Sequence, residues 1–517
     1  MLCKYRINSW NDKINIDLFC ISLVLIVPLQ NKNQDYSTMH KLMMLLLMLA
    51  AMTVQAQTAK KFTVNITPDG KANMVAYLPE SPSGRAIVDC PGGGYSHLAT
   101  QHEGHDWATY FNQQGIAFFV LTYRMPNGDR TIPMGDAQHA IRMVRDSAKV
   151  WQINPEDVGI MGFSAGGHLA STVSTHSEYD CRPNFSILFY PVISMNERET
   201  HKGSCVNFLG KEGQKDERLV KLFSNQNAVV RHLTPPAIIL TANDDGVVPP
   251  VTNGIAYYSA MRRQGNDCSL YVYPSGGHGF GFRSSWPFHN QMLNDLTVWL
   301  NCHKAPRQDA VRVACIGNSI TDGHGIDMSD VKAWPGQLQK LLGDGYVVKN
   351  YGRSGRTLLQ KGDQPIWKEQ AWRDALAFKA DVVVIKLGTN DSKPQNWDAQ
   401  AYESDLRLMI DQLNPKVPVL NKKGKPTKKM QRSEKPRIIL CTPVPAYKPS
   451  WNISDSVIVN SISPIINKVA QEENLEVIDL HSIFNNADGK AMQGDGIHPT
   501  EAGDAQIARA VMEKVKR

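Results

Sequence analysis

From residue 61 to about residue 302, short apolar runs alternate with stretches of helical period. Residues 86–90, 116–123, 158–162, 185–190, 237–242 and 269–273 are near-continuous apolar runs and predict strands. Residues 135–151, 251–264 and 290–302 carry apolar side chains at helical spacing. Strands apolar on both faces, separated by helices, predict a parallel sheet covered on both sides. A polar stretch containing Pro306, residues 303–310, interrupts the alternation. It then resumes, with strands predicted at 311–316, 346–350, 382–387, 438–441 and 477–480, and helices at 334–342 and 501–515. Residues 414–435 have no apolar period and predict an exposed loop. Both halves therefore read as α/β, without a sequence repeat between them.

The chain has 517 residues, which suits two domains of about 200 to 250. We place a first domain at 57–302, a linker at 303–310 and a second domain at 311–517. Hydrophobic content of 42% and charged content of 20% exclude a disordered chain. The net charge of +7 owes much to the lysines and arginine of residues 421–435. No aromatic residue interleaves them, so the reading is a solvated loop and no nucleic-acid partner.

Residues 1–56 read as an upstream extension and a signal peptide. Met39-His40-Lys41 precedes the apolar run 42–52 and the small-x-small exit Val54-Gln55-Ala56. Met39 is then the expected true start and Gln57 the mature one. The apolar runs 18–29 and 42–52 fall short of the ~20 residues a spanning helix needs. No stable membrane span is expected in the mature chain, and the expected compartment is periplasmic or extracellular. Of nine cysteines, Cys90, Cys315 and Cys441 lie in predicted strands and read as buried small apolar residues. Cleavage would leave seven, an odd number, and the spacing names no disulfide.

The chemistry collects around two serines. Gly162-Phe163-Ser164-Ala165-Gly166 follows a predicted strand and precedes a helical stretch. That is the setting of a Gly-x-Ser-x-Gly elbow, whose tight turn admits only small residues beside an exposed serine. Pro91-Gly92-Gly93-Gly94-Tyr95 follows an earlier strand and stands where a glycine-rich loop offers N–H groups to an oxyanion. Gly93, Gly94 and Ala165 are the expected donors. Asn243-Asp244-Asp245-Gly246 and Gly276-Gly277-His278-Gly279 follow the next strands, so Ser, Asp and His come in α/β-hydrolase order. Asp245 has the better spacing to Val248-Pro249, and Asp244 competes for the same role. His278 would take the Ser164 proton, and the acid would hold its tautomer. His102-Glu103-Gly104-His105 imitates a zinc motif, but Asp106 occupies the i+4 slot that a second histidine would need. A place near the mouth of the site is the preferred reading of that segment, and no metal is expected.

Over residues 61–302 the chain resembles α/β-hydrolase esterases of the acetylxylan and feruloyl esterase kind. The Pro-Gly-Gly-Gly-Tyr-Ser-His and Gly-Gly-His-Gly-Phe-Gly loops carry the likeness. Pro91 stands where lipase-type loops usually carry histidine.

The second serine stands in Gly317-Asn318-Ser319-Ile320-Thr321-Asp322. Asn350-Tyr351-Gly352-Arg353-Ser354-Gly355, Gly388-Thr389-Asn390-Asp391 and Asp495-Gly496-Ile497-His498-Pro499 follow at later strand ends or on a late loop. These four blocks, in this order, resemble the SGNH (GDSL) hydrolases over residues 311–517. The resemblance implies a flavodoxin-like three-layer domain with Ser319 as nucleophile and His498 as its base, oriented by Asp495. It implies an oxyanion hole from the Ser319 and Gly352 N–H groups and the Asn390 side chain. Asn318 stands where many members carry aspartate, which removes no catalytic group.

Two such sets on one chain predict a serine esterase that uses no metal or organic cofactor. The families resembled imply O-acetyl removal from plant polysaccharide such as acetylated xylan, with acylated poly- or oligosaccharide as the partner. Sialate O-acetylesterase or feruloyl esterase activity in one half, a peptidase, and a half that only binds carbohydrate are the competing readings. Trp286, Trp367, Trp372 and Trp397 are candidates to line a sugar site, with a core role as the alternative.

Overall fold

The computed structural model describes residues 60–305, 307–420, 425–448 and 450–516. The signal-peptide reading, Cys3, Cys20 and Pro306 lie outside them. Eight strands build the first sheet: β1 (Lys60–Asn65), β2 (Asn73–Leu78), β3 (Ala86–Cys90), β4 (Ala117–Thr122), β5 (Val158–Phe163), β6 (Ser186–Phe189), β7 (Ala237–Ala242) and β8 (Cys268–Tyr273). They run in the order β1-β2-β4-β3-β5-β6-β7-β8.

The sheet is mixed rather than purely parallel. β1, β2 and β4 pair antiparallel, and the remaining neighbours are parallel. β1 and β2, which the apolar runs read from the sequence do not include, lie at one margin of the sheet. β1 is a lysine-led edge strand that half-buries only Phe62 and Val64 against the core and leaves its other residues exposed. β2 buries only alternate residues, Met74, Ala76 and Leu78. β5 shows why the central strands read so clearly. Val158 and Ile160 enter the core on one face, and Met161 and Phe163 enter the core on the other. The predicted helix over 135–151 begins earlier, at Thr131, and breaks at Ser147. Helices Lys202–Gly213 and Glu217–Phe223 lie in an insertion after β6 that the pattern did not reveal.

The second sheet contains β9 (Val311–Gly317), β10 (Tyr346–Gly352), β11 (Val382–Lys386), β14 (Arg437–Cys441) and β15 (Glu476–Ile478). Its order is β10-β9-β11-β14-β15 and every pairing is parallel. This is the flavodoxin-like order, with the switch point beside β9. Residues of β9 alternate between two cores, Val313 and Cys315 in one, Ala314 and Ile316 in the other. The polar stretch 414–435 is not a plain loop. β12 (Val417–Leu420) and β13 (Pro426–Gln431) pair in it as an antiparallel hairpin. β13 is almost wholly exposed, so it has no apolar face to announce itself.

Both sheets belong to one compact unit. Leu233, from the first half, is buried in a core of the second. Arg312 of β9 reaches back to Glu156 at 2.9 Å and to the Tyr179 hydroxyl at 3.0 Å. Cys90, Cys315 and Cys441 are buried in their strands, and the seven cysteines among the described residues are free thiols. No helix among the described residues is long and apolar enough to cross a membrane.

Candidate active sites

Ser164 sits between β5 and the helix Ser164–His176, with φ at +53°. A non-glycine residue pays strain for that conformation, and the surrounding turn must hold it there. The turn closes because its neighbours lack side chains. A Cβ on Gly162 would stand 2.2 Å from the Gly166 oxygen, and one on Gly166 only 1.9 Å from the Cys90 oxygen.

Ser164 Oγ lies 2.8 Å from His278 Nε2, and His278 Nδ1 lies 2.8 Å from Asp245 Oδ2. Asp245 is buried, and its other oxygen accepts the Val247 and Val248 N–H groups at 3.0 and 2.9 Å. Those bonds fix the carboxylate plane. Asp244 is exposed and accepts the Gly277 N–H at 2.8 Å instead, which holds its carboxyl below the usual range. Of the two aspartates the sequence left open, Asp245 is the one that meets the imidazole.

The glycine loop lies alongside. Gly93 and Gly94 take φ of +132° and +65°, and a Cβ on Gly93 would meet the His97 oxygen at 2.2 Å. Their N–H groups have no acceptor among the described residues. Ala165 is the second residue of its helix, so its N–H has no partner within that helix. The Pro91 carbonyl accepts the Tyr123 hydroxyl at 2.7 Å, which anchors the loop without a histidine.

The imitation zinc motif has a different use. His105 pairs with the Tyr77 hydroxyl at 3.0 Å, and His102 faces Arg283 at 3.3 Å. Glu103 is buried and accepts the Gly92 N–H at 2.9 Å and the Tyr190 hydroxyl at 2.7 Å. No cluster among the described residues would hold a metal ion. His201, which sequence reasoning missed, stands beside Gly94 at the start of the helix Lys202–Gly213. Burial, then the charge of His278, lowers its pKa.

The second site repeats the relay on another frame. Ser319 follows β9 and opens a single turn, Ser319–Asp322, capped by the Asn318 side chain. Ser319 Oγ lies 2.8 Å from His498 Nε2, and His498 Nδ1 lies 2.8 Å from Asp495 Oδ2. Asp495 Oδ1 accepts the Ile497 and His498 N–H groups at 2.8 and 3.0 Å. Burial pushes the Asp495 carboxyl up, but these N–H groups and the imidazole hold it below its ordinary value. Burial, helped by His324 and Lys386, lowers the His498 pKa despite Asp495. His498 is thereby kept neutral and able to accept a proton near neutral pH.

The expected oxyanion donors fare differently. Asn390 is buried and spends one amide hydrogen on the Arg356 carbonyl at 3.1 Å, which orients the side chain and leaves the second hydrogen. The Ser319 N–H has no acceptor among the described residues. The Gly352 N–H, by contrast, donates to Asn350 Oδ1 at 2.9 Å. A Cβ there would meet the Asp322 nitrogen at 2.3 Å, so Gly352 permits close packing behind Ser319. The Gly355 N–H, at φ +80°, has no acceptor among the described residues.

The four tryptophans singled out as sugar candidates are not exposed. Trp286 stacks on Phe280 at 4.1 Å, Trp367 packs against Trp372 at 5.3 Å, and Trp397 packs against Tyr402 at 5.7 Å. Trp451 is 56% exposed, with its ring 5.4 Å from that of His498. A lone tryptophan in the polar turn Ser450-Trp451-Asn452 is the signal that could have found it.

Residues 74–255 match the family model described as BD-FAE, and residues 315–506 match that of the GDSL-like lipase/acylhydrolase family. The chain is 60% identical to an acetylxylan esterase of Xylanibacter ruminicola over 479 residues, covering 92% of this chain and 100% of the relative. It is 33% identical to endo-1,4-beta-xylanase B of Butyrivibrio fibrisolvens over 226 residues, 40% of this chain and 34% of that one. Among solved structures, the acetyl ester-xyloside bifunctional hydrolase from Caldicellulosiruptor lactoaceticus is 31% identical, with a TM-score of 0.45 over 48% of this chain and 98% of that one. Through the first of these relatives the chain belongs to a family of carboxylic ester hydrolases, that of the Xylanibacter ruminicola acetylxylan esterase, in which an α/β-hydrolase-type half precedes a GDSL-like half.

Proposed function

We propose that the chain removes O-acetyl groups from plant cell-wall polysaccharide such as acetylated xylan, at two separate serines. The observation that carries this reading is the pair of serine–imidazole contacts, each 2.8 Å, each backed by its own aspartate. At the first site Ser164 Oγ attacks the ester carbonyl while His278 Nε2 takes its proton. Asp245 stabilises the imidazolium that forms. The oxyanion is met by the N–H groups of Gly93, Gly94 and Ala165. The sugar hydroxyl leaves with the proton from His278, and water, deprotonated by the same imidazole, releases acetate from the acyl-serine. Ser319, His498 and Asp495 act likewise at the second site, with the Ser319 N–H and the Asn390 amide as oxyanion donors.

The acetyl-xylan substrate is carried over from the Xylanibacter ruminicola relative. Trp451 supports it, because an exposed indole beside His498 suits a pyranose face. In this reading residues 57–302 and 311–517 are the two catalytic domains, 303–310 joins them, and the protein works outside the cytoplasm after cleavage near Ala56. Tethering keeps the second site near a chain the first has engaged.

The test is acetate release from acetylated xylan by Ser164→Ala, Ser319→Ala and the double variant. Each single variant should retain part of the activity, and the double variant none. Complete loss in either single variant would reject two independent sites.

A further inference from the structure

The Ser319 site is not completed by its own half. Asp322 stands three residues after Ser319, at the end of the turn Ser319–Asp322, and is buried. Its Oδ2 accepts the Ser354 N–H at 3.1 Å and also the Ser354 hydroxyl. This joins the turn carrying Ser319 to the segment after β10, which runs on to Arg356, the residue that orients Asn390. Asp322 Oδ1 accepts no hydrogen bond among the described residues. The cations facing it come from the first half, His232 Nε2 at 3.2 Å and Arg231 Nε at 3.5 Å.

His232 is placed for this contact. It takes φ of +62°, and its side chain is 2% exposed. Nδ1 donates to Asp330, and Nε2 donates to the Asp322 carbonyl at 2.8 Å. An acceptor against each ring nitrogen calls for a proton on both. Burial alone would lower the pKa of this imidazole, but Asp330 and Asp322 outweigh it and raise it to about 9. Asp322 is held at about 2, against its own burial, by His232, Ser354 and Arg231. The other charged groups here are Arg353, whose guanidinium donates to the Arg231 carbonyl at 2.9 Å, and Lys349, which acts on Asp330. Asn350 Nδ2 lies 3.2 Å from His232 Nε2 and donates to the Thr321 carbonyl at 2.7 Å.

We propose that His232 is a positioning residue for the Ser319 site, reaching from the first half to hold Asp322 and, through it, the turn that carries Ser319. The inference rests on Ser319 acting as a nucleophile. Losing the imidazolium leaves the Asp322 charge buried with poorer compensation, and the turn shifts to relieve it. A displacement of about 1 Å at a reacting atom costs on the order of 100-fold in rate.

The two serines of one chain provide the control. Full-length protein is treated with a fluorophosphonate, and the labelling rate is read separately at the Ser164 and Ser319 peptides by mass spectrometry. His232→Gln should slow Ser319 about 10- to 100-fold and leave Ser164 unchanged. In the unsubstituted chain the Ser319 to Ser164 rate ratio should fall as pH rises through about 9, and His232→Gln should abolish that fall. Equal slowing at both serines would mean that His232 only holds the fold, and an unchanged Ser319 rate would mean that it holds nothing that matters. Either result overturns the proposal. Absence of label on Ser319 in the unsubstituted chain would reject the nucleophile reading, and this inference with it, before any substitution is made.

Discussion

Glu103 Oε2 accepts the Gly92 N–H at 2.9 Å, so a buried carboxylate restrains the glycine loop beside Ser164. Its other oxygen takes the Tyr190 hydroxyl at 2.7 Å. Tyr190 in turn packs edge-on against the His278 ring at 4.9 Å, and its hydroxyl accepts the Gly281 N–H at 3.1 Å. One side chain therefore ties together the loops on both sides of the serine.

Glu103→Ala should lower kcat at the Ser164 site by about tenfold or more and destabilise the protein by about 1–3 kcal/mol, because buried donors lose their acceptor. Glu103→Gln should fall between. Ester hydrolysis in a Ser319→Ala background and denaturant unfolding measure the two effects.

Asp244 and Asp245 should separate by orders of magnitude. Asp245→Asn removes the anion against His278 Nδ1 and should cost about 10⁴-fold in kcat at the Ser164 site. Asp244→Asn touches only the Gly277 N–H and should stay within a few fold. Hydrolysis of 4-nitrophenyl acetate in the Ser319→Ala background reads both.

Trp451→Ala should act on the polymer and spare the small ester. Loss of one stacking face of about 1–2 kcal/mol corresponds to a 5- to 30-fold lower kcat/KM on acetylated xylan. In a Ser164→Ala background, kcat on 4-nitrophenyl acetate should hardly change. A parallel loss on both substrates would place Trp451 in the support of His498 instead.

Acid should strain the first half through His168. This buried imidazole accepts the Tyr95 hydroxyl at 2.9 Å and donates to the Phe223 carbonyl at 2.8 Å, so it is held neutral. Burial depresses its pKa from 6.5 to about 4. A depressed histidine stabilises the fold fully above 6.5, and that contribution is lost as pH falls through 4. Thermal unfolding of His168→Gln should show a shallower dependence than the parent between pH 6.5 and 4.

The sequence by itself determined the strands with two buried faces and the motif residues at their ends. Continuous apolar runs such as β5 and β9 declare themselves, and a glycine-bounded serine after such a run declares its turn. The short spacing from Asp495 to His498 brought acid and base together within one turn, and the structure shows that contact. Only the tertiary structure decided the rest. β13 is exposed, so no apolar period marks it, and β1 half-buries only Phe62 and Val64 between polar neighbours. Asp245 was separated from Asp244 by which carboxylate faces His278, a matter of direction rather than order. Gly352 donates its N–H to Asn350, which no motif could reveal. Glu103 and His232 act across 11 and 90 residues of chain, on Gly92 and Asp322. Such pairs obey no local period. They arise when a charge must find its partner inside a folded interior where water cannot serve.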